Sequence, residues 1–174
     1  MTDLAGKIRA VPDFPVPGIL FRDITPLLAD AAALREAVQL LAKPWRDQRV
    51  DLVAAVEARG FVFGAPVATE IGAGFVPIRK EGHLPWRTRS ARYTLEYRSD
   101  VLFVHEDAIA PGQRVLIVDD LMATGGTARA SVELVQQLGG EVAGLAFLIE
   151  LTGLNGRAAL QGYDVRSVLQ FEGD

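Results

Sequence analysis

The chain has 174 residues, 49% of them apolar and 23% charged, the length and balance of one globular domain. That excludes collagen-like, low-complexity and disordered classes. Twenty-two acidic residues against 18 basic ones leave a net charge of −4, which weighs against binding duplex nucleic acid through its phosphates but leaves room for a local anion pocket. With no cysteine, disulfides, thiolate nucleophiles and Cys-ligated metals are impossible. The first 15 residues hold no apolar run suited to a signal peptide, and no stretch reaches the ~18 apolar residues of a membrane span. A cytoplasmic protein with no membrane or nucleic-acid partner is the expectation.

In chain order, residues 2–10 read as a short helix with Thr2 or Asp3 as N-cap. Segment 11–28 carries Pro12, Pro15, Pro17 and Pro26, which forbid a regular helix or a central strand. Its Phe14, Ile19, Leu20 and Phe21 predict an ordered loop. Leu34, Val38, Leu41 and Trp45 recur at helical spacing over 31–45. The apolar run beginning at Asp51 predicts a buried strand closed near Gly60; a helix over 61–72 and a short strand over 75–80 follow. A polar stretch over 81–97 comes next, then VLFVHEDA and a turn, then RVLIVDD at 114–120, the clearest buried strand. A helix over 127–138 carries Ala128, Val132, Val135 and Leu138 on one stripe and stops at Gly139-Gly140. Residues 141–149 and 165–170 are two more strands. Strands alternating with helices predict an α/β fold, a mostly parallel sheet flanked by helices, with ligand at the carboxyl ends of the strands.

The chemistry concentrates in VLIVDDLMATGGTA, residues 115–128. A buried strand ends in Asp119 and Asp120, and a Thr-Gly-Gly-Thr turn opens directly into a helix. Gly125 and Gly126 allow a tight turn that bares backbone N–H groups, and the helix N-terminus adds its positive dipole end. Thr124 and Thr127 offer hydroxyls to the same oxyanion. Two carboxylates would repel a phosphate, so they face ribose hydroxyls or a magnesium-chelated diol. The spacing suits a ribose 5-phosphate. It is neither a Walker A loop nor a dinucleotide fingerprint, since the Lys-Ser/Thr and the G-x-G-x-x-G pattern are missing.

This string resembles the phosphoribosyl-pyrophosphate (PRPP) motif of type I phosphoribosyltransferases. VPDFPVPGILFRDITPLL at 11–28, EARGFVFGAPVA at 57–68, IRKEGHLP at 78–85, YTLEY at 93–97 and IELTGLNGR at 149–157 are similar, in the same order, to segments of the adenine phosphoribosyltransferase family. The resemblance implies one domain over 1–174, with a base-binding hood at 1–30 and a flexible flap at 81–98. It implies transfer of the 5-phosphoribosyl group of PRPP to N9 of adenine, giving AMP and pyrophosphate with Mg²⁺, by a homodimer.

Residue by residue, the resemblance puts the 5-phosphate on Ala123, Thr124, Gly125, Gly126 and Thr127. Asp119 and Asp120 take the ribose hydroxyls, one of them helping magnesium through water rather than as a direct ligand. Arg59, Arg79, Lys80 and His83 go to pyrophosphate. Glu96 exchanges a proton with the purine beside Tyr97. Phe21 stacks on adenine, the Leu20 and Arg22 backbones read its edge, and Leu151 closes the slot. The chain departs from the family pattern at Ala58 (often Ser), His83 (expected Lys), Trp86 and Arg98. Arg87, Arg89 and Arg92 read as the solvated face of the flap; Trp45, His105 and Phe147 read as structural. Two other readings stay open: a related transferase for a 6-oxo purine, and a PRPP-sensing regulator that lacks catalysis.

Overall fold

The computed structural model describes residues 2–95 and 98–172. Its centre is a five-stranded, all-parallel sheet in the order β4-β3-β7-β8-β9. These strands are β3 (Leu52–Val56), β4 (Gly74–Ile78), β7 (Arg114–Met122), β8 (Glu141–Leu151) and β9 (Val165–Phe171). Side chains alternate across the sheet, as strand geometry requires. Val53, Leu116, Val118, Ala146 and Leu148 pack into one core with α2 (Ala31–Ala42) and α3 (Arg59–Ile71). Ala54, Val115, Ile117, Leu145 and Phe147 pack into the other with α4 (Gly126–Gln137). Burial on both faces is why these strands read as unbroken apolar runs.

From β3 the chain steps through α3 to β4 on one side; from β7 it steps through α4 to β8 on the other. The direction of winding reverses between β3 and β7, whose carboxyl ends lie side by side. A parallel sheet binds ligand at such a reversal.

The N-terminal expectations need correcting. Residues 2–10 are not a helix: a single 3-10 turn, Ala5–Lys7, precedes β1 (Arg9–Pro12). Leu4 and Ile8, four apart and both buried, imitate helical spacing, and Asp3 Oδ1 accepts the Gly6 N–H at 2.9 Å. The proline-rich segment is not simply a loop. β1 pairs antiparallel with β2 (Leu20–Asp23) as a separate two-stranded ribbon, followed by α1 (Thr25–Ala29) with Pro26 in its first turn. Prolines exclude a central strand but tolerate a ribbon: Pro12 ends β1, and Pro15 and Pro17 sit in the exposed connection. Asp30 caps α2 by accepting the Ala32 and Ala33 amides at 3.0 and 3.1 Å.

The polar stretch after β4 is a hairpin, β5 (Thr88–Leu95) against β6 (Arg98–His105). Its root is anchored. Ala91, Leu102 and Val104 are buried in the α4-side core, and Arg79 and Phe103 exchange backbone hydrogen bonds at 2.9 and 2.8 Å. Arg87, Arg89 and Arg92 face solvent. Among the described residues, no helix is long and apolar enough to cross a membrane.

Candidate active site

At the winding reversal lies a cavity of about 260 Å³. Val56, Glu57 and Ala58 from the end of β3, Asp119 to Met122 from the end of β7, and residues 123–128 of the following turn line it, with Phe147 on its floor. Arg59, Lys80 and Tyr93 complete the wall.

The turn after β7 is built as an anion cradle. Gly125 sits at φ +84°, a left-handed conformation costly for any side chain, and hands the chain straight into α4. The first α4 amides lack partners inside the helix, and their residues line the cavity, where the dipole adds positive potential. Ala123, Thr124, Gly125, Gly126 and Thr127 all line it.

Beside this turn, Asp119 Oδ1 accepts the Asp120 amide at 2.9 Å. Asp120 is 4% exposed, and its Oδ2 accepts no hydrogen bond, although Arg59 Nε lies 2.8 Å away as an ion pair. Burial, followed by the adjacent Asp120 charge, pushes the Asp119 carboxyl well above the ordinary range. Burial also raises Asp120, against the pull of Arg59. Burial penalises the charged form of both acids and leaves them under-bonded, the condition of groups that wait for a ligand.

The end of β3 is the opposite case. Glu57 was assigned no role from the sequence, yet its carboxylate gathers the start of the hairpin segment. It accepts the Lys80 amide at 2.5 Å, meets His83 Nδ1 at 2.8 Å through both oxygens, and takes a long 3.4 Å bond from Arg79 Nη2. Arg79 also donates to the His83 carbonyl at 2.9 Å. Burial alone would raise the Glu57 pKa; the Lys80 amide, His83 and Arg79 outweigh it and hold the carboxyl below its usual value. His83, expected at pyrophosphate, spends Nδ1 on Glu57. Of the three basic residues at 79–83, Lys80 lines the cavity.

The base-slot candidates lie beside this cavity rather than in it. Phe21, on β2, has the Arg59 guanidinium 5.3 Å from its ring centroid and Phe14 edge-on at 5.1 Å. Arg22 lies 4.5 Å over the Phe171 ring, and Phe171 is the β9 partner of Leu151. The ribbon thus docks on the carboxyl end of the sheet through Arg22, while Arg59 bridges Phe21 to Asp120. The side chain of Leu151 is packed into the α2/α3-side core. Arg22 Nε is buried without an acceptor. Glu96 and Tyr97 lie outside the described residues.

Sequence reasoning gave Glu57 and Tyr93 no role and read Phe147 as structural; Phe147 is a core residue that also lines the cavity. Glu57 carried a readable signal, a carboxylate directly after a buried strand, the same placement that singled out Asp119.

The family model for the phosphoribosyl transferase domain matches residues 24–170. An adenine phosphoribosyltransferase from Methylococcus capsulatus is 58% identical over 171 residues, covering 98% of this chain and all of that protein. The chain belongs to the adenine phosphoribosyltransferase family. Among solved structures of adenine phosphoribosyltransferases, the one from Thermoanaerobacter pseudethanolicus superposes with a TM-score of 0.95 at 54% identity, covering 97% of this chain and 98% of that one. The one from Giardia lamblia, solved with 9-deazaadenine, gives a TM-score of 0.93 at 32% identity, covering 98% of this chain and 97% of that one. The α/β architecture with its parallel sheet is the fold of this family.

Proposed function

We infer that the chain transfers the 5-phosphoribosyl group of PRPP to adenine, forming AMP and pyrophosphate, a step of purine salvage. The observation that carries this is the cavity at the β3/β7 reversal, where an under-bonded acid pair adjoins an amide-rich turn, in a family whose Giardia member was solved with an adenine analogue.

In this reading the 5-phosphate takes the amides and hydroxyls of residues 123–127, and the ribose hydroxyls donate to Asp119 and Asp120. As the bond from ribose C1 to the pyrophosphate oxygen breaks and the bond to adenine N9 forms, positive charge grows on the ribose. A carboxylate pair beside it stabilises that charge. Arg59, Arg79 and Lys80 gather the pyrophosphate, and Arg59 also holds Asp120. Phe21 stacks on adenine, and the Leu20 and Arg22 backbones read its edge, so that a 6-oxo purine would leave buried groups unpaired. Leu151 contributes from beneath, as part of the packed floor. Glu96 exchanges the purine proton, with Tyr97 beside it.

Mg²⁺ belongs to this reading as an ion that arrives on PRPP. Among the described residues no cluster of three or more His, Asp or Glu could cage a cation. Two adjacent carboxylates, with Asp120 Oδ2 paired to Arg59 but taking no hydrogen bond, fit an ion already held by a diphosphate and its waters, and Asp119 or Asp120 would reach it through water. Bound there, it supplies neutralisation of the leaving pyrophosphate. Residues 1–30 serve as the base-binding hood and 81–98 as the flap of one domain. A homodimer in the cytoplasm completes the reading, and sedimentation of the purified chain tests the dimer.

The deciding experiment mixes protein, PRPP, Mg²⁺ and each purine base separately. AMP from adenine alone is the expected result. IMP, GMP or XMP would overturn the base slot, and saturable PRPP binding without any product would make the chain a sensor.

A further inference from the structure

The phosphate turn does not stand alone: a second segment, outside the acid pair and the cradle, presses against it. Gly156 opens a 3-10 segment, Gly156–Leu160, just after β8. A Cβ on Gly156 would fall 2.3 Å from the Ala123 carbonyl oxygen and 3.2 Å from the Gly125 nitrogen. In the reverse direction, a Cβ on Gly125 would fall 2.5 Å from the Gly156 carbonyl oxygen and 3.1 Å from Ala159 Cβ. The nearest atom in each direction is backbone, with the Met122 side chain at 3.0 Å and Ala159 Cβ at 3.1 Å packed around the contact.

What holds residues 156–160 there is a charge cluster built on a buried carboxylate, its arginine half-exposed. Glu150, 4% exposed near the end of β8, takes both prongs of the Arg157 fork, Nε to Oε1 and Nη2 to Oε2, at 2.7 Å each. Its Oε2 also accepts Ser167 Oγ at 2.6 Å and Gln170 Nε2 at 3.3 Å from β9. Arg157 Nη1 donates onward to the Val165 carbonyl at 2.9 Å. A bidentate arginine fixes orientation as well as distance. The cluster therefore ties the 156–160 segment to the ends of β8 and β9, and through Gly156 to the turn between β7 and α4. Leu160, buried in the same core as Ala128 of α4, pins the far end of the segment.

We propose that Glu150 and Arg157 are positioning residues for the phosphate turn: they brace Gly156 against residues 123–125 so that the turn amides stand preset for the 5-phosphate of PRPP. The inference rests on the assignment of that phosphate to residues 123–127. Neither side chain touches substrate. Their effect passes through the backbone of Gly156, and an amide cradle displaced by a fraction of an ångström loses phosphate affinity before it loses any catalytic group.

The test measures KM for PRPP, KM for adenine and kcat in wild type, Glu150→Gln, Arg157→Lys and Gly156→Ala, with dissociation constants for ribose 5-phosphate alone. All three variants are expected to raise the PRPP KM and the ribose 5-phosphate Kd by about tenfold, leaving the adenine KM within about twofold. Gly156→Ala, which leaves the charge cluster intact, reproduces the phenotype from the other end. Arg157→Lys keeps the charge without the fork and decides the matter if Glu150→Gln does not fold. Variants that melt at lower temperature yet keep wild-type PRPP KM and ribose 5-phosphate Kd would reduce the cluster to a stabilising contact and overturn the proposal. Variants whose adenine KM rises as far as their PRPP KM would show a general loss of the site and overturn it too. A wild type that makes no AMP overturns the functional reading instead.

Discussion

Two strand ends meet at the cavity, and they treat their carboxylates in opposite ways. Glu57 directly follows β3 and precedes α3, while Asp119 and Asp120 lie within the last four residues of β7; both sit at the carboxyl edge of the sheet. Glu57 is saturated by an amide, an imidazole and a guanidinium, and its pKa falls below the ordinary range. Asp119 and Asp120 are pressed together, Asp120 Oδ2 facing Arg59 alone and taking no hydrogen bond, and both are raised. Glu150 at the end of β8 sides with Glu57: the Arg157 fork heads the donors that lower it. An acid after a buried strand is therefore not in itself a ligand group. The number of donors already facing it separates a structural clamp from a site kept open at a cost in stability.

The largest effect should come from breaking the open end. Asp119→Asn with Asp120→Asn is expected to lower kcat/KM by at least about a hundredfold, the scale of a lost charge-stabilising group. The melting temperature of the ligand-free protein should not fall, because a poorly compensated buried charge pair is removed. The pH dependence carries the sign. An acid whose folded pKa is raised binds its proton more tightly when folded, so stability drops as pH rises from the ordinary aspartate range through that raised value. Thermal melts should show wild type losing stability across that window and the double variant staying flat. A variant that melts markedly lower at neutral pH would mean the pair is structural, and the contrast with Glu57 would collapse.

A smaller effect tests the closed end. Glu57→Gln should lower the melting temperature at neutral pH by about 2–4 °C, the scale of one lost charged hydrogen bond in a chain of this size. Here the sign reverses. A depressed pKa contributes stability above the ordinary glutamate value of about 4.3 and loses it as pH falls through the folded pKa, so wild type and variant should converge in acid. Divergence that grows toward low pH would show the Glu57 cluster to be something other than an ionised clamp.

The glycine turn after β7, its neighbouring acids and the parallel sheet were legible in the sequence because each has a local signature: unbroken apolar strands, paired acids at a strand end, glycines opening a helix. The N-terminal ribbon was not. Leu4 and Ile8 share a spacing with helices, and prolines announce where regular structure is barred without announcing a two-stranded ribbon that pairs residues 8 to 14 positions apart. The Glu57 cluster joins residues 22 to 26 positions apart, and the Glu150 cluster is closed by β9 up to 20 positions further along. Such pairings exist only once the sheet order is set. Phe147 reads as an ordinary core aromatic because its neighbours in the strand are core; that it floors the cavity follows from β8 lying next to β7.

The finest comparison lies within the closed end, between Glu57 and the histidine that stands where the family pattern leads one to expect lysine. The His83 ring is about half exposed, and its contribution to the clamp is one side-chain contact through Nδ1. The Arg79 bond to its carbonyl and the Lys80 amide bond to Glu57 are indifferent to that ring. His83→Ala should therefore raise the PRPP KM by less than about fivefold, as an exposed pair would, and lower stability less than Glu57→Gln does. His83→Lys separates the two roles open to the residue. If the ring only steadies Glu57, a lysine that reaches the same carboxylate restores wild-type KM and no more. If position 83 meets pyrophosphate, lysine lowers the PRPP KM below the wild-type value and His83→Ala costs as much as Glu57→Gln. That second pattern would move the end of β3 from clamp to substrate contact, and with it the line drawn between the two strand ends.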